Sequence, residues 1–328
     1  MKQKHGRWYT AVQALRTRLL RSRCLTATLA ALTSLLAGCS ELVLFNPKGP
    51  VGEIERFIIL TAFALMLVVV LPVIAMAVWF TRRYRIGGGK EHEYLPKWSY
   101  SRNIELAIWL IPTVIVTALV ALIWNSTYRL DPYTPIESTA KPVIIEAVSL
   151  DWKWLFIYPE ENIAVVNELV FPSGVPLAFR LTSDTVMTSF FIPQLGSQIY
   201  AMAGMQTQLH LLAHNPGSYF GQNQQFSGTG YAHMTFEALA TSPEEYSAWL
   251  DKLRQSPEAL DMGRYEKLAK PTSGYPVTYF SSVAPDLFNL IIGKHCPKHE
   301  PEDSPGPRDQ REPEDGSRAM RGEYSFKP

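Results

Sequence analysis

Apolar and polar positions alternate on three different length scales along this chain, and each scale predicts a different kind of element. From Phe57 to Phe80 there are 24 residues without a charge, and Leu106 to Trp124 gives 19 more. At about 1.5 Å per helical residue the first run covers roughly 36 Å, against a hydrocarbon core of about 30 Å, so both runs predict membrane-spanning helices. Pro72 and Pro112 fall inside the runs, where neighbouring helices can absorb the lost hydrogen bonds. Trp79, Trp109 and Trp124 lie near the ends, as interfacial anchors do. The loop between the runs carries Arg82, Arg83, Arg85, Lys90, Lys97 and Arg102, whereas the outer flanks carry few basic residues, such as Lys48 and Arg129. This asymmetry predicts a cytoplasmic loop with both flanks outside.

After the second run the period shortens. The stretch PVIIEAVSLDWKWLFIYPE alternates and is rich in β-branched and aromatic residues, as a strand or strand pair is. ELVFP, PLAFRLTS, SFFIP, IYAMAGMQTQLHLLAH and YAHMTFEALA follow at turn-separated intervals, which predicts a small all-β sandwich. The pattern changes again at SPEEYSAWLDKLRQSPEALDMGRYEKLAKP. There Ser242 or Thr241 precedes a helical period of Tyr246, Trp249, Leu250 and Leu253, so helices are expected beside the sandwich. The last stretch, 296–328, is rich in Pro, Glu, Asp, Arg and Gly, is too polar to bury a core, and reads as disordered.

The N-terminus reads as an export signal. Lys2, Lys4, Arg7, Arg16, Arg18, Arg21 and Arg23 precede the apolar stretch CLTATLAALTSLLAGC. Its end, Leu36-Ala37-Gly38-Cys39, resembles a bacterial lipobox, in which the cysteine is lipidated and becomes the first residue of the mature protein. An ordinary signal peptide or anchor ending in Gly-Cys is the other reading. The expected division is a signal peptide over 1–38, a lipidated N-terminus with a two-span hairpin over 39–126, a periplasmic β-domain over 127–240, a helical extension over 241–295 and a tail over 296–328.

Composition narrows the chemistry. With 47% hydrophobic and 19% charged residues the chain can bury a good core, and a net charge of +1 supplies no basic face for nucleic acid. Cys24, Cys39 and Cys296 imply no disulfide framework, and none lies in the β-region. The loop GQNQQFSGTGYAHM places Asn223, Ser227, Tyr231 and Met234 at a spacing suited to presenting metal ligands, yet only the methionine is a soft one. His210, His214 and His233 read as solvated or hydrogen-bonded residues, and His295, Cys296 and His299 as a cluster on the polar tail.

Two spans, the DWKW motif and the string TSDTVMTSFFIPQLGSQIYAMAGMQTQLHLLAHNPGSYFGQNQQFSGTGYAHM together resemble subunit II of haem-copper respiratory oxidases over most of residues 40 to 292. FFIPQLGSQIYAMAGMQT resembles the bo-type ubiquinol oxidase branch in particular. The resemblance implies a cupredoxin-like sandwich. In the cytochrome c oxidase branch that sandwich holds the dinuclear copper A centre with two thiolates, two histidines, a methionine and a backbone carbonyl. Carried onto this chain, the first histidine falls on Thr188, the cysteines on Asn223 and Ser227, the second histidine on Tyr231, the methionine on Met234 and the carbonyl on Gln225. Trp152 falls on the tryptophan that receives electrons in that branch, a role that is empty without copper.

The resemblance therefore implies a copper-free domain kept for assembly and packing. The expected function is that of a non-redox subunit of a proton-pumping oxidase that oxidises ubiquinol and reduces oxygen to water. No cofactor is expected in this chain, with haems and copper in subunit I. The expected partners are subunit I, the other oxidase subunits and membrane lipids, with no nucleic acid. The expected location is the bacterial inner membrane, with the large C-terminal domain in the periplasm. Glu105, in NIELAIW at the cytoplasmic end of the second span, matches a glutamate at the mouth of a proton channel, and a carboxylate there can capture protons by reversible ionisation. A membrane-tethered cupredoxin-like scaffold and, behind it, a copper A subunit of cytochrome c oxidase are the alternatives.

Overall fold

Both uncharged runs lie inside single unbroken helices. In this computed structural model, which describes residues 42–85 and 100–295, α1 covers Pro50–Arg83 and α2 covers Arg102–Arg129. Pro72 and Pro112 are contained within them. The most apolar stretch of each helix is not buried against the rest of the chain, so these faces await lipid or another protein rather than a core of their own. Cys39 and the polar tail lie outside the described residues, as do Cys24 and Cys296.

The β-domain begins with β1 (Val143–Leu150), β2 (Lys153–Tyr158), β3 (Ile163–Val166), β4 (Glu168–Pro172) and β5 (Leu177–Ser183). It continues through β6 (Thr188–Phe190), β7 (Ile199–Ala201), β8 (Thr207–Leu211), β9 (Gly217–Gln222) and β10 (Thr235–Thr241). Then come α3 (Pro243–Arg254), α4 (Met262–Leu268), β11 (Thr278–Phe280) and α5 (Leu287–Gly293). Among the described residues, the main sheet runs β11-β3-β2-β1-β5-β8, facing a smaller sheet β4-β10-β9, while β6 and β7 form a separate pair. The result is the expected β-sandwich behind two apolar helices.

Strand alternation sorts side chains into two cores. Trp154, Phe156 and Tyr158 of β2 turn towards the smaller sheet, where they meet Phe171, Phe190 and Phe236. Leu155 and Ile157 turn the other way, onto Leu260, Tyr265, Leu268, Phe280 and Ile291 of the C-terminal extension. Every residue of β2 is consequently buried. A strand alternating between two apolar layers must be apolar on both faces, and here Lys153 is the exception.

Three details differ from the sequence expectation. IYAMAGMQTQLHLLAH is two strands, because Gly204 takes a positive φ of 72° in the turn between β7 and β8. YAHM is not strand: Tyr231–His233 form one turn of 3-10 helix, and β10 starts at Thr235. The extension also contributes β11, which pairs antiparallel with β3, so it is part of the main sheet as well as a helical neighbour. The start of α3 agrees with expectation. Ser242 accepts from Glu245 N–H at 3.2 Å and Glu245 accepts from Ser242 N–H at 3.0 Å, a complete capping box.

The first helix is joined to the β-domain by main-chain bonds as well as by sequence. Lys48 N–H donates to Gln194 O at 2.7 Å, Gly52 N–H to Leu195 O at 3.2 Å, and His214 N–H to Lys48 O at 2.9 Å. Gly49 permits this approach, since a Cβ there would lie 2.1 Å from Leu212 O.

Candidate functional site

The loop between β9 and β10 closes over the end of the sandwich, and Asn223, the first residue beyond β9, organises it. Asn223 is only 5% exposed, which makes each of its amide groups costly to leave unpaired. Its Oδ1 accepts from Ser189 N–H and from Gln225 N–H, each at 2.9 Å. Its Nδ2 donates to Gln225 O at 2.8 Å and to Ser227 Oγ at 3.2 Å. An asparagine side chain has two acceptor sites and two donor hydrogens, and all four are used. Main-chain bonds extend the brace: Asn223 N–H donates to Met234 O at 3.1 Å and Gln222 N–H to Phe191 O at 3.0 Å. Ser189 Oγ accepts from Gln224 N–H at 2.7 Å.

The predicted ligand positions therefore take separate roles. Asn223 bonds to both Gln225 and Ser227. Thr188 is buried on β6 and donates away from the loop, to Ser149 Oγ at 2.6 Å. Tyr231 meets the exposed Phe226 edge to face, with ring centroids 5.4 Å apart. Met234 is 1% exposed and belongs to the sandwich core.

Trp152 covers the loop from the β1–β2 turn. Its Nε1–H donates to Ser227 O at 2.9 Å. Its indole lies against Gly228 and Gly230, and a Cβ on Gly230 would fall 2.3 Å from Trp152 Cδ2. Trp152 itself has a φ of 63°, a left-handed conformation that costs a non-glycine residue roughly 1–2 kcal/mol. The indole contacts and the hydrogen bond oppose that cost.

This donor set does not fit copper. Electron-transfer copper is held by thiolate and imidazole, whereas the mapped positions offer an amide, hydroxyls and a buried thioether, and the loop's imidazole, His233, is exposed beside them with no thiolate to join it. The amide oxygens and hydrogens that could turn to an ion already bond to the loop itself. Among the described residues no group of three or more His, Cys, Asp or Glu side chains gathers at one place. The histidines are dispersed: His210 Nδ1 lies 3.0 Å from Pro132 O, His214 Nε2 is 4.0 Å from Glu53 Oε1, and His295 Nε2 is 2.7 Å from Asp184 O.

Glu105 is exposed in the first turn of α2, far along the chain from the loop, and its N–H donates to Ser101 O at 3.0 Å. An acid in a helix's first turn complements the dipole there, a structural benefit independent of any proton role.

Sequence reasoning passed over Lys153. It is 0% exposed, and its ammonium donates to Lys270 O at 2.9 Å and Asp151 O at 3.2 Å beneath the Tyr275 ring. Burial lowers its pKa from the ordinary lysine value, partly offset by the Asp151 charge. The clue in the sequence was DWKWLFIY, where a lysine opens a strand that is otherwise apolar on both faces.

Residues 120–240 match the family model described as cytochrome C oxidase subunit II, periplasmic domain, and residues 254–298 match the COX aromatic rich motif. Cytochrome bo(3) ubiquinol oxidase subunit 2 of Pseudomonas aeruginosa is 52% identical over 80% of this chain and 78% of its own length. The protein of the same name from Pseudomonas putida is 51% identical over 80% of this chain and 82% of its own. Ubiquinol oxidase subunit 2 of Acetobacter aceti is 50% identical over 80% and 85%.

Proposed function

The chain belongs to the ubiquinol oxidase subunit 2 family, and from that premise we propose that it is the second subunit of a proton-pumping oxidase in the bacterial inner membrane. The complex oxidises ubiquinol and reduces oxygen to water at haems and copper held by subunit I. The observation that carries the copper-free assignment is the side chain of Asn223, whose five hydrogen bonds occupy the centre of the loop in place of a bridging thiolate. Thr188, Asn223, Ser227 and Tyr231 stand where copper ligands have been lost, and Met234 remains as core packing. Electrons reach subunit I directly from the quinol, so no residue of this chain takes part in redox steps. The β-domain serves assembly and packing on the periplasmic side, bolted to α1 through Gly49 and its neighbours.

The proposal includes processing before Cys39 and lipidation of its thiol, giving a second anchor beside the two spans. The functional divisions remain 1–38, 39–126, 127–240, 241–295 and 296–328, with the extension integrated into the β-domain by β11. Glu105 serves as a proton collector at the cytoplasmic end of α2. The test is oxygen consumption by the purified native complex with ubiquinol or with reduced cytochrome c as the donor. Ubiquinol should support turnover and cytochrome c should not. Turnover with cytochrome c alone would overturn the assignment.

A further inference from the structure

Just before α1 the chain makes one turn of 3-10 helix, Val43–Phe45, within the apolar run Leu42-Val43-Leu44-Phe45. Three residues complete such a turn, so four consecutive apolar residues clothe its whole circumference. A helix apolar all round belongs in a nonpolar setting, yet all four residues remain 40–46% exposed. The β-domain and α1 leave nearly half of each uncovered, and water is a poor neighbour for the remainder.

The place of the turn along α1 identifies what covers it. Lys48 N–H and Gly52 N–H donate to the successive carbonyls Gln194 O and Leu195 O, at 2.7 Å and 3.2 Å, so both stand at the surface of the β-domain. Arg56 lies one helical turn, about 6 Å, beyond Gly52 along α1. Its Nη1 donates to Phe45 O at 3.4 Å. Followed backwards from Lys48, the chain therefore folds against α1 and leads away from the β-domain. The uncharged run of α1 starts at the next residue, Phe57, which is exposed, as is Ile54 one turn before it. The apolar turn thus borders the depth at which α1 itself enters hydrocarbon. Its backbone suits that depth, since Phe45 N–H donates to Leu42 O at 2.9 Å and Asn46 N–H to Val43 O at 3.2 Å. Asn46, Glu53 and Arg56, all exposed, supply charged and amide groups at the same level for headgroups and water. We propose that Leu42–Phe45 is an interfacial wedge inserted into the leaflet on the β-domain side, a lipid contact separate from the two spans. The run carries no side-chain donor or acceptor with which a protein partner could fix its register, whereas a lipid surface requires only apolar area and depth. The inference rests on the membrane-spanning reading of α1 and does not need acylation of Cys39.

The test uses the whole oxidase complex in dioleoyl phosphatidylcholine vesicles, with a nitroxide label carried on Leu44→Cys and the label on the unsubstituted complex subtracted as background. Electron paramagnetic resonance then compares collisions with oxygen, which concentrates in lipid, and with a neutral nickel(II) chelate, which stays in water. The oxygen-to-nickel ratio at Leu44 should exceed several-fold that of a label on Asp251→Cys, on the exposed side of α3. Val43→Cys, pointing another way from the same turn, should give the same result and serves if the first variant fails to assemble. A ratio at both positions equal to that at Asp251 would place the turn in water. Shielding from both reagents would place it under a neighbouring subunit, and either result overturns the wedge. A label on Leu71→Cys, in the middle of α1, reports separately on the spanning reading: nickel access there would remove the premise, whereas nickel access at Leu44 alone would remove only the wedge. Haem content and quinol-dependent turnover of the same samples report on the oxidase reading.

Discussion

Asn223 Nδ2 donates to Gln225 O at 2.8 Å, so two positions that the family resemblance maps onto copper ligands are bonded to each other. The bond holds the loop closed without an ion. Asn223→Ala removes the acceptor of Ser189 N–H and Gln225 N–H together, leaving one buried and one half-buried donor to find new partners. Thermal unfolding of the purified chain should show a loss of roughly 2–4 kcal/mol. Asn223→Asp retains the acceptors but turns a carboxylate towards Gln225 O and Ser227 Oγ. Its folded pKa should then lie above the unfolded one, so stability recovers as pH falls and the carboxyl is protonated. A pH-independent deficit would argue against the mapped bonds.

Trp152 and Gly230 should show strong coupling. Gly230→Ala brings a Cβ into the indole plane and should destabilise by about 1–3 kcal/mol. Trp152→Gly relieves the left-handed strain but loses the bond to Ser227 O and the packing on the loop. In the double variant the added methyl has no indole to meet, so its cost should largely vanish. Additive losses in the double-mutant cycle would show that the indole leaves the loop in solution.

The C-terminal extension should release at high pH. Burial raises the pKa of Tyr158 well above the ordinary phenol value, and burial followed by the Asp184 charge raises that of Tyr265. Both folded values exceed the unfolded value of about 10, so their contribution is fully present below that pH. It is lost as pH rises further, because the unfolded chain ionises first. Each phenol should steepen the decline by roughly 1.4 kcal/mol per pH unit. Stability profiles from about pH 9 to about pH 11 should flatten in Tyr265→Phe by about one proton. An unchanged slope would place Tyr265 in water.

Glu105 supports a test within the complex. Glu105→Gln keeps size and hydrogen bonding but cannot ionise, so quinol-dependent oxygen consumption per haem should fall while assembly and haem content stay normal. Glu105→Asp should retain part of the rate. Unchanged turnover of the Gln variant at every pH measured would leave Glu105 the dipole-complementing role seen in the first turn of α2.

Elements set by local patterning were legible in the sequence. The two spans follow from uncharged length, α3 from the Ser242 and Glu245 spacing, and most strands from alternation. Elements set by distant partners were not. Thr278–Phe280 is too short to identify alone and becomes a strand because β3 offers its edge. Lys153 reads as solvent-facing until the extension covers that side of β2 and supplies Lys270 O as its acceptor. The absence of thiolates from the loop was plain in the sequence, but the bonds that Asn223 makes in their place depend on Ser189, 34 residues away.

Copper content bears most directly on a loop closed by hydrogen bonds. The full chain, purified in detergent, is incubated with copper(II) and a reductant, freed of unbound metal and analysed by plasma mass spectrometry alongside its visible spectrum. The bonds of Asn223 and the lack of thiolate and imidazole at Thr188, Ser227 and Tyr231 require substoichiometric copper and no visible band. One or two coppers per chain with the absorption of a thiolate-free or dinuclear centre, abolished by Met234→Leu, would contradict it.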